Sequence, residues 1–298
     1  MRKILCIMVA MLMATGAFAQ ALPSLLIPSD AASLSLAGAT VAGRAGAFSV
    51  DDNAASIALS GRTLNVAATY GLWQPSAGKE NILAAGGWWN SGRFAVGASF
   101  RRFASPSQET VSGNGTISQL DDAFAPSDIA VSLGASFAVT GNISVGLAAR
   151  FVNSRLTGTA SANVVGADIS VMYAKDALRA GLVMANLGTK VKYSETGYAQ
   201  PMVLRAGAAY TILEGLTVQA ELSYLFAGSF GAGAGVEYGF RDMVFARAGF
   251  HYGSGNVGIP THASLGLGGK CAGVRIDVAY LLIGNLSNTL MFTLGYCF

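Results

Sequence analysis

From Thr63 onward the apolar residues of this chain recur at every second position. That period confines each segment to a strand with one apolar face. The last segment, "NTLMFTLGYCF", sets Leu290, Phe292, Leu294, Tyr296 and Phe298 against Met291, Thr293, Gly295 and Cys297. About fourteen such segments follow one another, near 63–73, 81–90, 92–103, 128–139, 142–153, 163–174 and 177–187 in the first half. The second half carries them near 201–212, 215–226, 230–239, 243–252, 262–270, 273–283 and 290–298.

The connections alternate in length. Tight turns ("NSG", "TGN", "KD", "LEG", "FRD", "KCAG") take turns with the mostly longer stretches 74–80, 104–127, 153–162, 188–200, 253–261 and 284–289; the connection near Gly228 breaks the rhythm. One short periplasmic side and one longer external side produce this pattern. A soluble sandwich has no cause to. Composition agrees: 52% of residues are hydrophobic and 12% charged, with a mean hydropathy of +0.47. Beyond the N-terminus, however, no stretch approaches the ~18 uninterrupted apolar residues of a spanning helix. Lipid accepts only helices or closed sheets. The expected fold is therefore all-β, a transmembrane antiparallel β-barrel of about 14 strands in a bacterial outer membrane.

The start, "MRKILCIMVAMLMATGAFAQ", has a basic pair, a short apolar run and an Ala-x-Ala step. This predicts a cleaved secretory signal over 1–19, taking Cys6 with it. Residues 20–62 are rich in Gly, Ala and Ser and do not alternate well. A barrel of this size has a lumen wider than its own side chains fill. Residues 20–62 are therefore expected to plug it, the other reading being a flexible periplasmic tail, and 63–298 to form the barrel.

Energetics assigns the faces. An arginine turned to lipid near the midplane costs roughly 2–4 kcal/mol. Arg101, Arg150, Arg179, Arg205, Arg247 and Arg275 share the small-residue face with Asp168, Glu221, Glu237 and Asp277, so that face is expected to line the lumen. Arg150, Arg179, Arg205 and Arg247 should pair there with Asp168, Glu221, Glu237 or carbonyls of the plug, because an unpaired buried charge is strongly destabilising. The apolar face meets outer-membrane lipid, with Tyr70, Trp73, Phe151, Tyr224, Phe250, Tyr252 and Tyr296 as candidates for the interfacial girdles. Phe298 is the expected terminal anchor of the strand that closes the barrel.

Catalytic patterns are absent. There is no Gly-x-Ser-x-Gly, His-Glu-x-x-His or Cys-x-x-Cys. "GAGAGVEYG" precedes no helix and reads as strand glycine, not a phosphate loop. His251 and His262 flank one external loop and are expected to point inward, half a metal site without a third ligand. The acidic "QLDDAFAPSD" lacks calcium-loop spacing. Cys271 and Cys297 fall two strands apart, near 10 Å by the ~4.8 Å strand spacing, and are expected to be free thiols. The net charge of +3 includes Arg2 and Lys3 of the signal, so nothing suggests a nucleic-acid surface. No enzyme, cofactor or metal is expected.

"LLIPSDAASLSLAGATVAG", "NLGTKVKY" with the following "PMVLRAGAAY", and the closing "FARAGFHYG…SLGLGGKCAGVRIDVAYLL…FTLGYCF" together resemble the PorV/PorQ family of FadL-like outer-membrane proteins. Members of that family usually carry an Asn-Pro-Ala step shortly after an acidic "DD-x-A" stretch, whereas "DDNAASIALSGRTLNVA" has no proline. The resemblance implies a 14-stranded barrel with an N-terminal plug and a part in type IX secretion through contacts with cargo or translocon proteins. FadL relatives instead pass small hydrophobic molecules. Both functions stay open at the level of sequence, as does a structural barrel without transport.

Overall fold

The computed structural model describes residues 20–74, 78–107, 125–157, 160–254, 258–283 and 288–298. Residues 1–19, where a signal was expected, and most of the 104–127 connection lie outside them. The strands are β1 (Leu64–Trp73), β2 (Glu80–Asn90), β3 (Phe94–Ala104), β4 (Ser127–Ala138), β5 (Ile143–Arg155), β6 (Ser161–Lys175) and β7 (Leu178–Gly188). A two-residue pair follows, β8 (Val191–Lys192) and β9 (Gly197–Tyr198). Then come β10 (Val203–Leu213), β11 (Leu216–Leu225), β12 (Ser229–Phe240), β13 (Val244–Gly253), β14 (His262–Cys271), β15 (Val274–Leu282) and β16 (Thr289–Cys297).

All but β8 and β9 form one closed antiparallel barrel, β1 pairing with both β2 and β16. Closure leaves no open edge, which lipid would not tolerate. The register puts Asn65 opposite Cys297 and Leu72 opposite Leu290. The Phe298 carbonyl accepts from the amides of Thr63 and Leu64, both at 2.9 Å, so the seam is bonded to its last residue.

Burial alternates along the strands. Along β5, Leu147 is 61% exposed while Arg150 is 7% exposed. Tyr70, Phe151, Phe250, Tyr252 and Tyr296 are all exposed. Trp73 corrects the girdle assignment. It stands one residue out of phase with Tyr70 and Leu72 and packs inward on a buried cluster containing Ile82, Leu281 and Met291.

Residues 20–59 lie against the inward faces. They form a 3-10 turn at Pro23–Leu26 and three short helices, α1 (Ala31–Ser35), α2 (Ser49–Asp52) and α3 (Ala55–Ala58). Asp30 caps α1, its Oδ1 accepting from Ser33 N at 2.8 Å. Between α2 and α3, Asn53 is extended and Ala54 has φ −58°. Wall glycines make room: a Cβ on Gly146 would fall 2.4 Å from Ala55 N, and one on Gly181 2.3 Å from Val41 O. The cores are correspondingly shared, Phe48 packing with Ala84, and Val50 and Ile57 with Trp88 and Ala148.

The 188–200 connection departs from the simple external loop expected of it. Val191 of β8 is fully buried with Leu22, Val152 and Val164, and Gln20 bridges to Ala199. This part of the loop folds over the start of the N-terminal segment, while Lys190, Lys192 and Glu195 stay exposed.

Candidate functional site: the occupied lumen

The inward charges form three groups, two of them bonded to the N-terminal segment. In the first, Arg150 Nη2 contacts Asp168 Oδ2 at 2.9 Å and Asp51 Oδ1 at 3.1 Å. Asp51 also accepts from Ser99 and Ser132, each at 2.7 Å. Beside this group, Arg101 Nη1 donates to the Ile27 carbonyl at 2.6 Å. In the second, Arg205 bonds Glu221 at 2.6 Å and the Gly38 carbonyl at 3.1 Å, while Glu221 accepts from Val41 N at 3.0 Å. In the third, Arg247 joins Glu237 at 2.6 Å and Asp277 at 2.8 Å, and Arg275 holds the other oxygen of Asp277 at 2.7 Å. Phe245 lies against both guanidinium groups, 5.3 Å and 5.0 Å from its ring centre.

Arg179 stands apart. Among the described residues it makes no ion pair; it lines a small cavity with Arg44 and Arg62 near the short turns. The expected partner from Asp168, Glu221, Glu237 or a segment carbonyl is not there. The reason is position: Arg179 is the second residue of β7, below the level at which α2 presents its acids.

Sequence reasoning missed Asp51, Asp128 and Asn186. Asn186 lies at a bulge where β7 carries two residues against Asp168 alone. Its φ is +60°, a conformation that Asn tolerates better than most side chains. Its amide donates to Asp168 at 2.7 Å, its side chain accepts from Arg150, and its Nδ2 donates to the Pro201 carbonyl at 3.0 Å. The Asn of the Asn-Leu-Gly motif thus ties Asp168 and Arg150 of the wall to the start of the Pro-led strand. Asp128, last of the acidic "QLDDAFAPSD" stretch, faces inward and accepts from Ser24 at 2.6 Å and from Ser154.

The segment's own acids sit in unequal environments. Burial pushes the Asp51 carboxyl up, but Arg150 and Arg101, with the two serines, outweigh it and hold it below the usual range. Burial raises Asp30 despite its bonds to Ser33. Asp52, desolvated and close to Asp30, Asp51 and Glu221, is pushed up to about 7, with Arg205 opposing. It borders two cavities, an outer one of about 110 Å³ and an inner one of about 100 Å³.

A raised carboxyl stabilises the fold fully only below its unfolded value near 3.8, and that contribution is lost as pH rises through about 7. Asp52→Asn should therefore raise the melting temperature of the purified barrel at pH 8.5 and change it far less at pH 3.5, below the unfolded value. The gain should be about 1–2 kcal/mol, reduced from the full shift because Asp52 is partly exposed. Equal effects at both pH values would contradict this environment for Asp52.

The outer cavity has apolar walls (Leu25, Leu26, Val203, Leu225, Phe230, Ile259) over the charged floor of Asp51, Arg101, Arg150 and Arg205. His251 and His262 stack at its rim, 5.2 Å between ring centres, with His262 Nδ1 2.8 Å from the Pro260 carbonyl. Among the described residues no group of three metal-ligating side chains occurs. Cys271 and Cys297 are both free.

No curated protein matches the chain. Solved structures do. The toluene transporter TbuX of Ralstonia pickettii aligns with a TM-score of 0.67 at 14% identity, over 92% of this chain and 99% of that one. The toluene transporter TodX of Pseudomonas putida gives 0.66 at 13% identity, over 95% and 99%. A FadL homologue from Pseudomonas aeruginosa gives 0.59 at 12% identity, over 92% and 99%. These likenesses establish the barrel fold; the closed sheet taken with the family match that follows places the protein in the bacterial outer membrane. The family profile described as type IX secretion system protein PorV matches residues 13–227. That span takes in residues 20–59, the acidic pair at Asp51 and the Asn186 bulge, and this chain belongs to the PorV family.

Proposed function

We propose that this barrel serves type IX protein secretion by binding other proteins, with residues 20–59 as a built-in plug. The observation that carries this is the bonding of that segment to the wall through Asp51, Gly38, Val41 and Ile27, in a chain matching the PorV profile. A segment held by an ion pair, several hydrogen bonds and closely fitted glycines leaves little room for free diffusion. Contacts then fall to the external loops and rim, where recognition residues on rigid barrels usually sit. The exposed side of the 188–200 connection and the 104–127 connection are the candidates, with translocon or cargo proteins as partners.

A second reading has its own support. The outer cavity has apolar walls, and the neighbouring folds include toluene transporters. A small apolar molecule could enter there if the plug shifts. Fold alone does not decide, since one architecture hosts several functions.

Shortening the 104–127 connection while keeping the barrel intact separates the two. The secretion reading expects type IX substrates to be retained in the cell while uptake of apolar solutes is unaffected. Normal secretion with collapsed uptake would replace it with the transporter reading.

A further inference from the structure

The arginines of the upper lumen are all committed to carboxylates or carbonyls; Arg179, Arg44 and Arg62 are not. The three line one cavity of about 120 Å³ at the short-turn end of the barrel, which is periplasmic in barrels of this kind. Among the described residues, no carboxylate is in ion-pair contact with any of them. The acids nearest in influence are Glu237 for Arg179 and Asp242 for Arg44 and Arg62. Both are already engaged, Glu237 by Arg247 at 2.6 Å and Asp242 by Lys270. Arg62 gives one N–H to Cys297 Sγ at 2.9 Å and keeps the rest of its fork.

Three guanidinium groups around one cavity repel one another, and Arg179 is only partly solvated. An unpaired charge withdrawn from water is costly unless something compensates it. Ser56, a buried residue of α3, adds a hydroxyl to the same cavity. Three five-donor guanidinium side chains lining one cavity suit a tetrahedral, multiply charged oxyanion. A single carboxylate would leave most of these donors idle.

We propose that this cavity is a binding site for a phosphate-type oxyanion, either free phosphate or the phosphate of a lipid headgroup. The site faces the periplasmic mouth and is independent of what the external loops bind.

The test uses the full-length barrel purified in detergent, with thermal melts in rising inorganic phosphate against sodium chloride of matched ionic strength. Wild type should be stabilised by phosphate beyond the salt control. Arg179→Gln and the exposed Arg44→Gln should each weaken the apparent affinity about tenfold or more, the usual size of a lost charge-assisted bond. Arg93→Gln, at a short turn of the same end, should leave it unchanged. Nanodiscs with phosphatidic acid, compared with phosphatidylcholine alone, identify the source. Added stabilisation that depends on Arg179 assigns a lipid headgroup, whereas a response confined to inorganic phosphate assigns the free ion. The proposal is overturned if wild type shows no phosphate-specific shift, or if both arginine variants keep the wild-type response.

Discussion

Arg150→Ala is expected to cost about 3–5 kcal/mol of stability, the penalty of leaving buried acids without their base. Arg150 is 7% exposed and joins Asp168, Asp51, Ser132 and the side chain of Asn186. Removing it strands Asp168 in the wall and loosens Asp51 on α2. Two readouts follow. The heat-modifiable form should unfold at lower temperature, and proteinase K should reach the N-terminal segment in intact outer membranes. Replacing the base and both acids together with uncharged residues should recover much of the loss, because it removes the unpaired charges. A single variant as stable as wild type would mean the network contributes little.

Gly146→Val should dislodge the N-terminal segment while the barrel stays closed. Valine suits a strand, so the cost falls on whatever faces it. A Cβ at Gly146 would lie 2.4 Å from the backbone N of Ala55, and a backbone atom cannot swing aside as a side-chain tip can. Overpacking of this kind costs about 1–3 kcal/mol. Pairing it with Gly181→Val, whose Cβ would lie 2.3 Å from Val41 O, attacks a second contact of the same segment. The double variant should keep its compact gel mobility and lose protection of residues 20–59. Retained protection would show that the segment adapts to a narrower lumen.

The barrel was legible because period two and the loop rhythm are local consequences of one lipid-facing side. The positions of Arg150, Arg205 and Arg247 followed from the cost of a charge in hydrocarbon. The Gly38 carbonyl that Arg205 bonds is a partner of the kind expected, whereas Asp51 on Arg150 is not, since helices of four or five residues leave no periodic signal and take their shape from the wall. Asp51 stood in plain view in "DDNAAS", yet nothing in the sequence tells it from Asp52, and their surroundings send the two carboxyls in opposite directions. Asn186 was visible as part of a motif; its role depends on a bulge that shows only in the pairing register. Trp73 was misplaced because an aromatic at a strand end was read by type and not by phase.

In the proposed function the lumen is closed by the chain's own N-terminal segment. Single-channel recording in planar bilayers probes this, with the wild-type barrel compared to the Gly146→Val, Gly181→Val double variant. Wild type should show no steady conductance, and the variant should show stepwise openings of uniform size. A wild-type barrel conducting steadily at the level of the variant would contradict the account.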